Sequence, residues 1–149
     1  MGQLRMPHVI FALRVAIGSV LVVAGALKAP NPTAFASTIA GFQLLPAAVA
    51  GPMAVFVPWF EILLGGYLIA GYLTRAAAWV ACAEFVVFAG AIASVVVRGI
   101  HISCGCFGQG DAAPASWVDV VRDAALAAGA LVVALRPPGV LAVDRRELG

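Results

Sequence analysis

Four long apolar runs constrain the fold of this chain most, and they cover residues 9–27, 53–73, 76–97 and 117–135. Each run matches the roughly 20 residues that cross the hydrocarbon core of a bilayer as an α-helix. The runs lack the alternation of apolar and polar positions that a membrane β-barrel needs. We therefore predict an all-α integral membrane protein, a bundle of four transmembrane helices that forms a single domain over residues 1–149.

The composition supports this prediction and argues against two other classes of protein. The chain is 63% hydrophobic and 11% charged, whereas soluble domains carry about a quarter charged residues. The alternative is an unusually apolar soluble protein, but too little polar side chain is present to cover its surface. The net charge of +2 is too small and too scattered for a nucleic-acid-binding protein. The lipid bilayer is therefore the predicted environment.

The first apolar run also resembles a cleaved signal peptide, with Arg5 as the basic start and small residues at 24–26 as the cleavage site. Two features favour a retained helix instead. Arg14 interrupts the run, and the run is longer than the apolar part of a typical signal peptide. We predict that this helix stays in the mature protein.

The segment between the first two runs contains signals for a short helix. Asn31 is a good N-cap, Pro32 suits the first helical position, and Gly41 is placed to end the helix. Phe35 and Ile39 would share one apolar face. We predict a short helix that lies in the membrane interface; a mobile loop is the alternative.

Basic residues near the ends of the runs predict the orientation in the membrane. With four spans both termini lie on one side, which would hold five arginines, while Lys28 and Arg98 lie on the other side. The excess places both termini in the cytoplasm and the loop between the last two spans outside it. Disulfides persist in extracytoplasmic compartments. The five arginines are Arg5, Arg75, Arg136, Arg145 and Arg146.

That outer loop carries the most reactive chemistry of the chain, the sequence Cys-Gly-Cys-Phe-Gly at residues 104–108. A disulfide between Cys104 and Cys106 would close a small strained ring, and strained exposed disulfides tend to be labile or catalytic. Gly105 and Gly108 allow the positive φ angles that a tight turn requires. Arg98 and His101 lie close in sequence and could lower the pKa of a thiol.

Three interpretations of the cysteine pair remain open. The first is a redox-active pair that exchanges disulfides with another protein. The second is a structural disulfide, although it would brace almost no chain. The third is a copper or zinc site formed by Cys104, Cys106 and His101, which falls short of the four ligands that a closed zinc site uses. His101 by itself is better described as an exposed loop histidine.

Several charged residues fall inside the apolar runs, where each should face the bundle interior or water and pair with another charge. Depth along the helices, at ~1.5 Å per residue, predicts a pair between Arg14 and Glu84 in the cytoplasmic half. It also predicts a pair between Glu61 near the midplane and Arg122. The alternative is that these charged residues only stabilise the contacts between helices. The full set is Arg14, Glu61, Glu84, Asp119, Arg122 and Asp123.

Two further residues have structural explanations. Asp119 follows Ser116 by three positions, the spacing of a capping box at the start of the last helix. Cys82 lies roughly 20 Å along its helix from the outer end, too far from Cys104 to act as its partner. We predict that Cys82 is an inert core cysteine. Arg122 and Asp123 lie deeper than Asp119 and are not explained by capping.

Taken together, these residues resemble the MauE family of methylamine-utilisation proteins, which belongs to the wider DoxX-like group of small four-helix membrane proteins. The similarity runs from about Pro58 to Asp123. It is carried by Pro-Trp-Phe-Glu at 58–61, Gly65, Gly71, Thr-Arg at 74–75, Cys-Gly-Cys-Phe-Gly at 104–108, Trp117, Arg-Asp at 122–123, and Lys28 after the first span. Cys82 and Glu84 match no motif of the family.

The resemblance implies a multi-pass protein of the bacterial cytoplasmic (inner) membrane that assists the maturation of an extracytoplasmic partner through its disulfides. In methylamine-using bacteria that partner is the small subunit of methylamine dehydrogenase, and a thioredoxin-like membrane or periplasmic protein works alongside. Many relatives occur without that dehydrogenase, so the substrate is not fixed by the resemblance.

The sequence therefore predicts a component of thiol–disulfide exchange. Cys104 and Cys106 would be the exchanging pair, with Glu61, Arg122 and Asp123 as a polar site beneath them. A quinone-linked thiol oxidase usually has a second cysteine pair, which this chain of three cysteines lacks. Use of a quinone would therefore need a partner protein or a ligand bound directly under Cys104. The other class of function is a membrane protein that binds a metal ion or small molecule without turnover.

Overall fold

Five α-helices make up most of the computed structural model, which describes residues 2–108, 113–136 and 138–144. The helices are α1 (Gly2–Lys28), α2 (Pro32–Gly41), α3 (Ala47–Ala70), α4 (Thr74–Val97) and α5 (Trp117–Leu135). The prediction of an all-α fold is confirmed for the described residues. Arg145 and Arg146, used above to orient the chain, lie outside them.

The boundaries of the third helix differ most from the apolar run that predicted it. α3 begins six residues earlier, after Pro46, because the small residues at its start are helical although they are less apolar. It ends at Ala70 because Gly71 adopts a left-handed conformation, with φ of 70°. Glycine is the usual residue there, since it has no Cβ to clash.

Three helices are long and apolar enough to cross a membrane: α1 from Arg5, α3 and α4, each with 24 suitable residues. The protein is therefore a membrane protein. α5 has 19 residues, enough for roughly 28 Å of helix, but Asp119, Arg122 and Asp123 lie within its first two turns. The fourth span thus remains a prediction.

The distribution of side chains supports a lipid environment. Large apolar side chains such as Phe56, Val87 and Val121 are more than 50% exposed. The interior contains alanines and larger aliphatic side chains, and it also holds buried polar residues, namely Arg14, Lys28, Glu61, Thr74 and Asp123. Lipid tails can cover exposed apolar helix faces, whereas buried polar groups require partners inside the bundle.

Glycines bring α1 and α3 into close contact. Gly18 and Gly65 face each other so closely that a Cβ on Gly65 would lie 2.5 Å from the carbonyl oxygen of Gly18. Gly25 lies against the carbonyl oxygen of Pro58 in the same way. Small residues at such positions let two helix backbones approach, which favours association of transmembrane helices. This contact sets the position of α1 along the axis of α3.

The short helix predicted between the first two runs is present as α2. The side chain of Asn31 accepts a hydrogen bond from the backbone N–H of Ala34 at 3.1 Å, Pro32 is the first helical residue, and Gly41 is the last. None of its described side chains is buried. The location of α2 in the membrane interface remains a prediction.

The segment of residues 138–144 closes the end of the bundle opposite the cysteine loop. Arg14 is fully buried and donates a hydrogen bond through Nη1 to the carbonyl oxygen of Pro138 at 2.8 Å. Asp144 accepts hydrogen bonds from the backbone N–H groups of Leu73 and Thr74, at 2.8 and 2.7 Å. These contacts fix the start of α4.

The predicted pair between Arg14 and Glu84 is therefore wrong. Arg14 is bound by backbone carbonyls of the chain that follows α5, an acceptor set that helix depth alone does not reveal. Glu84 instead lies close enough to Glu61 and Lys28 to interact electrostatically with both of them.

The contact between α1 and α3 predicts unequal effects at two adjacent glycines. Gly65→Ala should destabilise the protein by about 1–3 kcal/mol, because its Cβ enters the closely packed helix contact. Gly66→Ala is the matched control, since a Cβ there meets no atom within 4 Å. Thermal unfolding in detergent, followed by tryptophan fluorescence, should show a lower Tm for Gly65→Ala alone. Equal Tm values for the two variants would contradict the proposed packing.

Candidate functional site

The cysteine loop packs onto the ends of α1 and α2. Gly105 and Gly108 have φ angles of 67° and 72°, which favour glycine. A Cβ on Gly105 would lie 2.7 Å from Thr38, and one on Gly108 would lie 2.7 Å from the carbonyl oxygen of Leu27. The two glycines are therefore required both for the turn and for its close approach to the helices.

Cys104 and Cys106 are free thiols that contact each other through the turn. The backbone N–H of Cys106 donates a hydrogen bond to Cys104 Sγ at 3.3 Å, and the Cys106 thiol donates to the carbonyl oxygen of Cys104 at 3.8 Å. Cys104 is buried, with 6% of its surface exposed, whereas Cys106 is half-buried. Cys106 is therefore the more exposed residue of the pair.

The pKa values of the two thiols are shifted in opposite directions. Hydrogen bonding from Cys106, aided by the Arg122 guanidinium and opposed by burial, lowers the pKa of Cys104 to about 7. Its hydrogen bond with Cys104 and burial raise the pKa of Cys106 above that of an ordinary thiol. Cys104 is thus the sulfur that carries negative charge first, and thiolates are the reactive form.

Arg122 is held beside the thiols by carboxylates on its own helix. Nη1 lies 3.0 Å from Asp119 Oδ1 and Nε lies 3.0 Å from Asp123 Oδ1. The guanidinium also stacks over the Phe107 ring, 5.2 Å from its centroid. Asp119 accepts hydrogen bonds from the backbone N–H and hydroxyl of Ser116, which confirms its capping role.

The predicted pair between Glu61 and Arg122 is wrong, because Glu61 pairs with Lys28 instead. Lys28 Nζ lies 2.6 Å from Glu61 Oε1, and each side chain is only 2% exposed. The ammonium also lies near the ring centroids of Phe35 and Phe88, at 5.2 and 5.5 Å. This packing leaves the Lys28 charge in a site with little access to water.

Two physical reasons explain the different pairing. The contact of Gly25 with Pro58 brings the end of α1 close to the N-terminal half of α3. Helix side chains tilt towards the helix N-terminus, so the long Lys28 side chain runs back to the level of Glu61. The sequence signal for this ion pair is Lys28 itself, a lysine in the last turn of α1. It contributed to the predictions only as one of the basic residues that set the orientation.

A small cavity of about 20 Å³ connects Cys106 to this ion network, with room for one water molecule. It is lined by Cys106, Phe107, Lys28, Glu61, Arg122 and Asp123, among others. Glu61 Oε2 and Asp123 Oδ2 are buried without hydrogen-bond partners among the described residues. The structure thus brings Glu61, Arg122 and Asp123 to Cys106 and adds Lys28 to the predicted set.

The remaining candidates occupy other places. Arg14 lies at the opposite end of the bundle, and Glu84 lies near the Lys28–Glu61 pair. Cys82 is half-buried and packs against the hydrophobic core. His101 is exposed, and no three metal-ligating side chains converge within the described ranges. The structure therefore does not bring His101 together with the cysteines as a metal site requires.

A second, larger cavity of about 320 Å³ adjoins the same loop. It lies between α2 and α4 and is lined mainly by aliphatic and aromatic side chains. Lys28, Cys104 and Cys106 are its polar or reactive residues, together with Ser94. Cys106 and Lys28 line both cavities, and the smaller one also touches the charged residues Glu61, Arg122 and Asp123.

Comparison with known proteins identifies the family. The sequence profile of the family described as "Methylamine utilisation protein MauE" matches residues 6–136 of this chain. The chain belongs to the MauE family. The match covers all of α2 to α5 and most of α1, so it includes the cysteine loop and the ion network. No solved structure matches the chain.

Individual MauE proteins are similar to this chain along most of its length. The "Methylamine utilization protein MauE" of Paracoccus denitrificans is 33% identical over 142 residues, which cover 95% of this chain and 76% of the relative. That of Methylophilus methylotrophus is 35% identical over 123 residues, covering 81% and 65% respectively. That of Paracoccus versutus is 34% identical over 142 residues, covering 91% and 76%.

The lowered pKa of Cys104 predicts its pH-dependent reactivity. In reduced protein carrying Cys82→Ser, alkylation of Cys104 by N-ethylmaleimide should reach half its maximal rate near pH 7, the pKa of the thiol. Below that pH the rate should fall about tenfold per unit, because the thiolate fraction does. Quantitative mass spectrometry of the loop peptide measures the rate at each pH.

Two arginine variants test the cause of this shift. Arg122→Gln should move the midpoint for Cys104 to higher pH, since a cation that stabilises the thiolate is lost. Arg98→Gln should leave the midpoint in place, because Arg98 binds Ser94 and the carbonyl oxygen of Phe42 rather than the thiols. A midpoint near 8.5 in the parent protein, the ordinary value, would contradict the assignment.

The Lys28–Glu61 pair predicts strong coupling between the two positions. Lys28→Met or Glu61→Leu alone should destabilise the protein by about 3–5 kcal/mol, because each leaves an uncompensated buried charge. The double variant should lose less than the sum of the two. Chemical or thermal unfolding in detergent measures these differences.

Arg122→Leu provides the matched comparison for that experiment. It leaves the partner of Glu61 in place, so its effect and that of Glu61→Leu should be more nearly additive than those of the Lys28 pair. Strong coupling between positions 61 and 122, with additivity between 28 and 61, would restore the pairing rejected here.

Proposed function

We propose that this protein is a membrane accessory protein of methylamine utilisation, as its relatives are named, and that it passes disulfides to an extracytoplasmic partner. Cys104 and Cys106 are the exchanging pair in this proposal. The observation that carries it is the contact of two thiols through one tight turn, with their pKa values shifted in opposite directions. A merely structural disulfide would not need this asymmetry, whereas exchange requires one sulfur that leaves readily.

The exchange step follows from the two environments. A thiolate of the partner attacks Cys106, the more exposed residue of the pair, and the bond between Cys106 and Cys104 breaks. Cys104 leaves as a thiolate, because Cys106 and Arg122 lower its pKa, and a low pKa makes a good leaving group. The second thiol of the partner then attacks the mixed disulfide, releases Cys106 and completes the partner's disulfide. The partner loses two electrons and the cysteine pair gains them.

The proposal includes a topology. We place α1, α3, α4 and α5 across the bacterial cytoplasmic membrane with both termini in the cytoplasm, and α2 in the outer interface. Support comes from the excess of basic residues at the terminal side, from the length of α5, and from the contacts of the cysteine loop with the ends of α1 and α2. The loop then lies where disulfides persist.

The proposed partner is a thioredoxin-like membrane or periplasmic protein, or the disulfide-containing protein that it helps to mature. The small subunit of methylamine dehydrogenase fits the second description by resemblance of this family. The alternative of a metal-binding protein without turnover is less well supported, because the described residues offer two soft thiol ligands without a converging third. Copper or zinc bound by two thiols would leave coordination positions to be filled from elsewhere.

Mixed-disulfide trapping tests this proposal in whole cells. Cys104→Ser should accumulate a reductant-sensitive adduct between Cys106 and the oxidised form of the partner, because Cys104, the sulfur of this chain that would displace the partner from Cys106, is absent. Cys106→Ser should accumulate less, since Cys104 is more deeply buried. Non-reducing gels and mass spectrometry identify the adduct, and Cys82→Ser is the control that should behave like the parent protein. Loss of bound copper or zinc from both variants, without any adduct, would favour the metal-binding alternative.

A further inference from the structure

The apolar cavity beside the cysteine loop has the features of a ligand site. Its volume of about 320 Å³ falls within the range of small-molecule pockets, roughly 300–1,000 Å³. Phe35 and Ile39 of α2 form one wall, and Val87, Phe88 and Gly90 of α4 form the other. In a bilayer its opening faces lipid, because the residues at its rim, such as Val87 and Leu44, are 65% and 49% exposed.

The inner end of this cavity is reactive, which distinguishes it from a passive gap between helices. Both thiols of the cysteine pair line it, and so does Lys28, whose ammonium group is buried against two phenylalanine rings. An ammonium has three donor hydrogens, and one binds Glu61. A ligand in the cavity would therefore meet two sulfurs and a cation at one end and apolar surface elsewhere.

We propose that this cavity binds a lipid-soluble quinone, which reoxidises the Cys104–Cys106 dithiol directly. This inference rests on the proposed function, because a pair that passes disulfides to a partner is left reduced after each cycle. The chain offers Cys82 as its remaining thiol, and Cys82 packs against the core away from the loop. The oxidant must therefore reach Cys104 and Cys106 themselves.

The reaction balances for a quinone. The two S–H bonds of Cys104 and Cys106 break and one S–S bond forms, which releases two electrons and two protons. The quinone takes up both electrons and both protons, and its two carbonyl oxygens become the hydroxyls of a hydroquinone. Lys28 stabilises the negative charge that develops on the nearer oxygen during this transfer. Lys28 and Cys106 also line the small cavity that Glu61 and Asp123 line, so these carboxylates lie next to the groups that would exchange protons with the ligand.

Two observations favour a quinone over a lipid acyl chain as the occupant. An acyl chain offers no acceptor for the ammonium and no electrons or protons to exchange with the thiols, so a cavity for it would not need Lys28 and both sulfurs. The rings of Phe35 and Phe88 line the cavity on opposite helices, and aromatic side chains pack favourably against a flat ring. A prenyl tail would leave through the opening towards lipid.

Single-turnover reduction of decylubiquinone tests the proposal. Purified full-length protein in nanodiscs, reduced and freed of reductant under anaerobic conditions, should convert one quinone per cysteine pair. Gly90→Leu should slow this reaction by roughly tenfold or more, the effect of about 1.4 kcal/mol of lost binding. Gly66→Leu is the matched control, because both glycines have open space at the Cβ position but only Gly90 lines the cavity.

A second pair of variants keeps the test valid if Gly90→Leu does not fold. Val87→Trp should also block the cavity, whereas Val86→Trp, at the neighbouring and similarly exposed position, should not. Exchange of the cysteine pair with glutathione, and the adduct with the partner, should persist in the blocked variants. That result would separate the site for the quinone from the exchange chemistry itself.

The remaining outcomes of these experiments each overturn a specific part of the proposal. Adduct formation without any quinone reduction would overturn this inference and leave the proposed function in place. Quinone reduction that is as fast in Gly90→Leu and Val87→Trp as in the parent would overturn the cavity as the site. A co-purified phospholipid that decylubiquinone does not displace would assign the cavity to an acyl chain. The absence of both reduction and adduct would reject the proposed function as well.

Discussion

The buried ion pair between Lys28 and Glu61 is the interaction on which the arrangement of the half of the protein next to the cysteine loop depends. It joins the end of α1 to α3 in a region with little access to water. Because an unpaired charge there would be costly, the pair restricts how far the two helices can move apart. α2 begins just after Lys28, and the cysteine loop rests on Leu27. The position of the thiols is therefore linked to this pair.

A second, more exposed ion network holds the cysteine loop from the other side. Arg122 binds Asp119 and Asp123 on α5, and its guanidinium lies over Phe107 of the loop. A cation fixed in this way stabilises a thiolate on Cys104 without being free to pair with Glu61. The two networks meet at the small cavity beside Cys106, so each of the two basic residues keeps its own carboxylate partners while both contribute to one site.

Much of this fold follows from local signals in the sequence, as the helices and caps show. Runs of apolar residues predicted α1, α3, α4 and α5, and Asn31, Pro32 and Gly41 predicted α2 with its correct ends. The cysteine turn and the cap at Asp119 were also predicted from short-range spacing. These features depend on neighbours within a few residues, so periodicity and capping rules are sufficient to find them.

The pairing of buried charges was not predictable in the same way, because it depends on the level at which helices pack. Depth counting placed Glu61 opposite Arg122, yet Gly25 and Pro58 set a contact that lets Lys28 reach Glu61 first. Arg14 binds carbonyls of the segment after α5, and no charge pattern in the sequence indicates such acceptors. The apolar cavity also could not be predicted from the sequence, because its walls come from α2, α4 and the loop together.

The separation of the two cavities bears on how a single cysteine pair can serve two reactants. The proposed partner protein would reach the loop from the aqueous side, whereas the proposed quinone would arrive through lipid between α2 and α4. Cys106 contacts both spaces and Cys104 lines only the apolar one of the two. In the proposed cycle, Cys106 therefore exchanges with the partner, while the more deeply buried Cys104 faces the oxidant. The two half-reactions then take place on opposite sides of one turn, and electrons pass through a single S–S bond without a relay to a second pair.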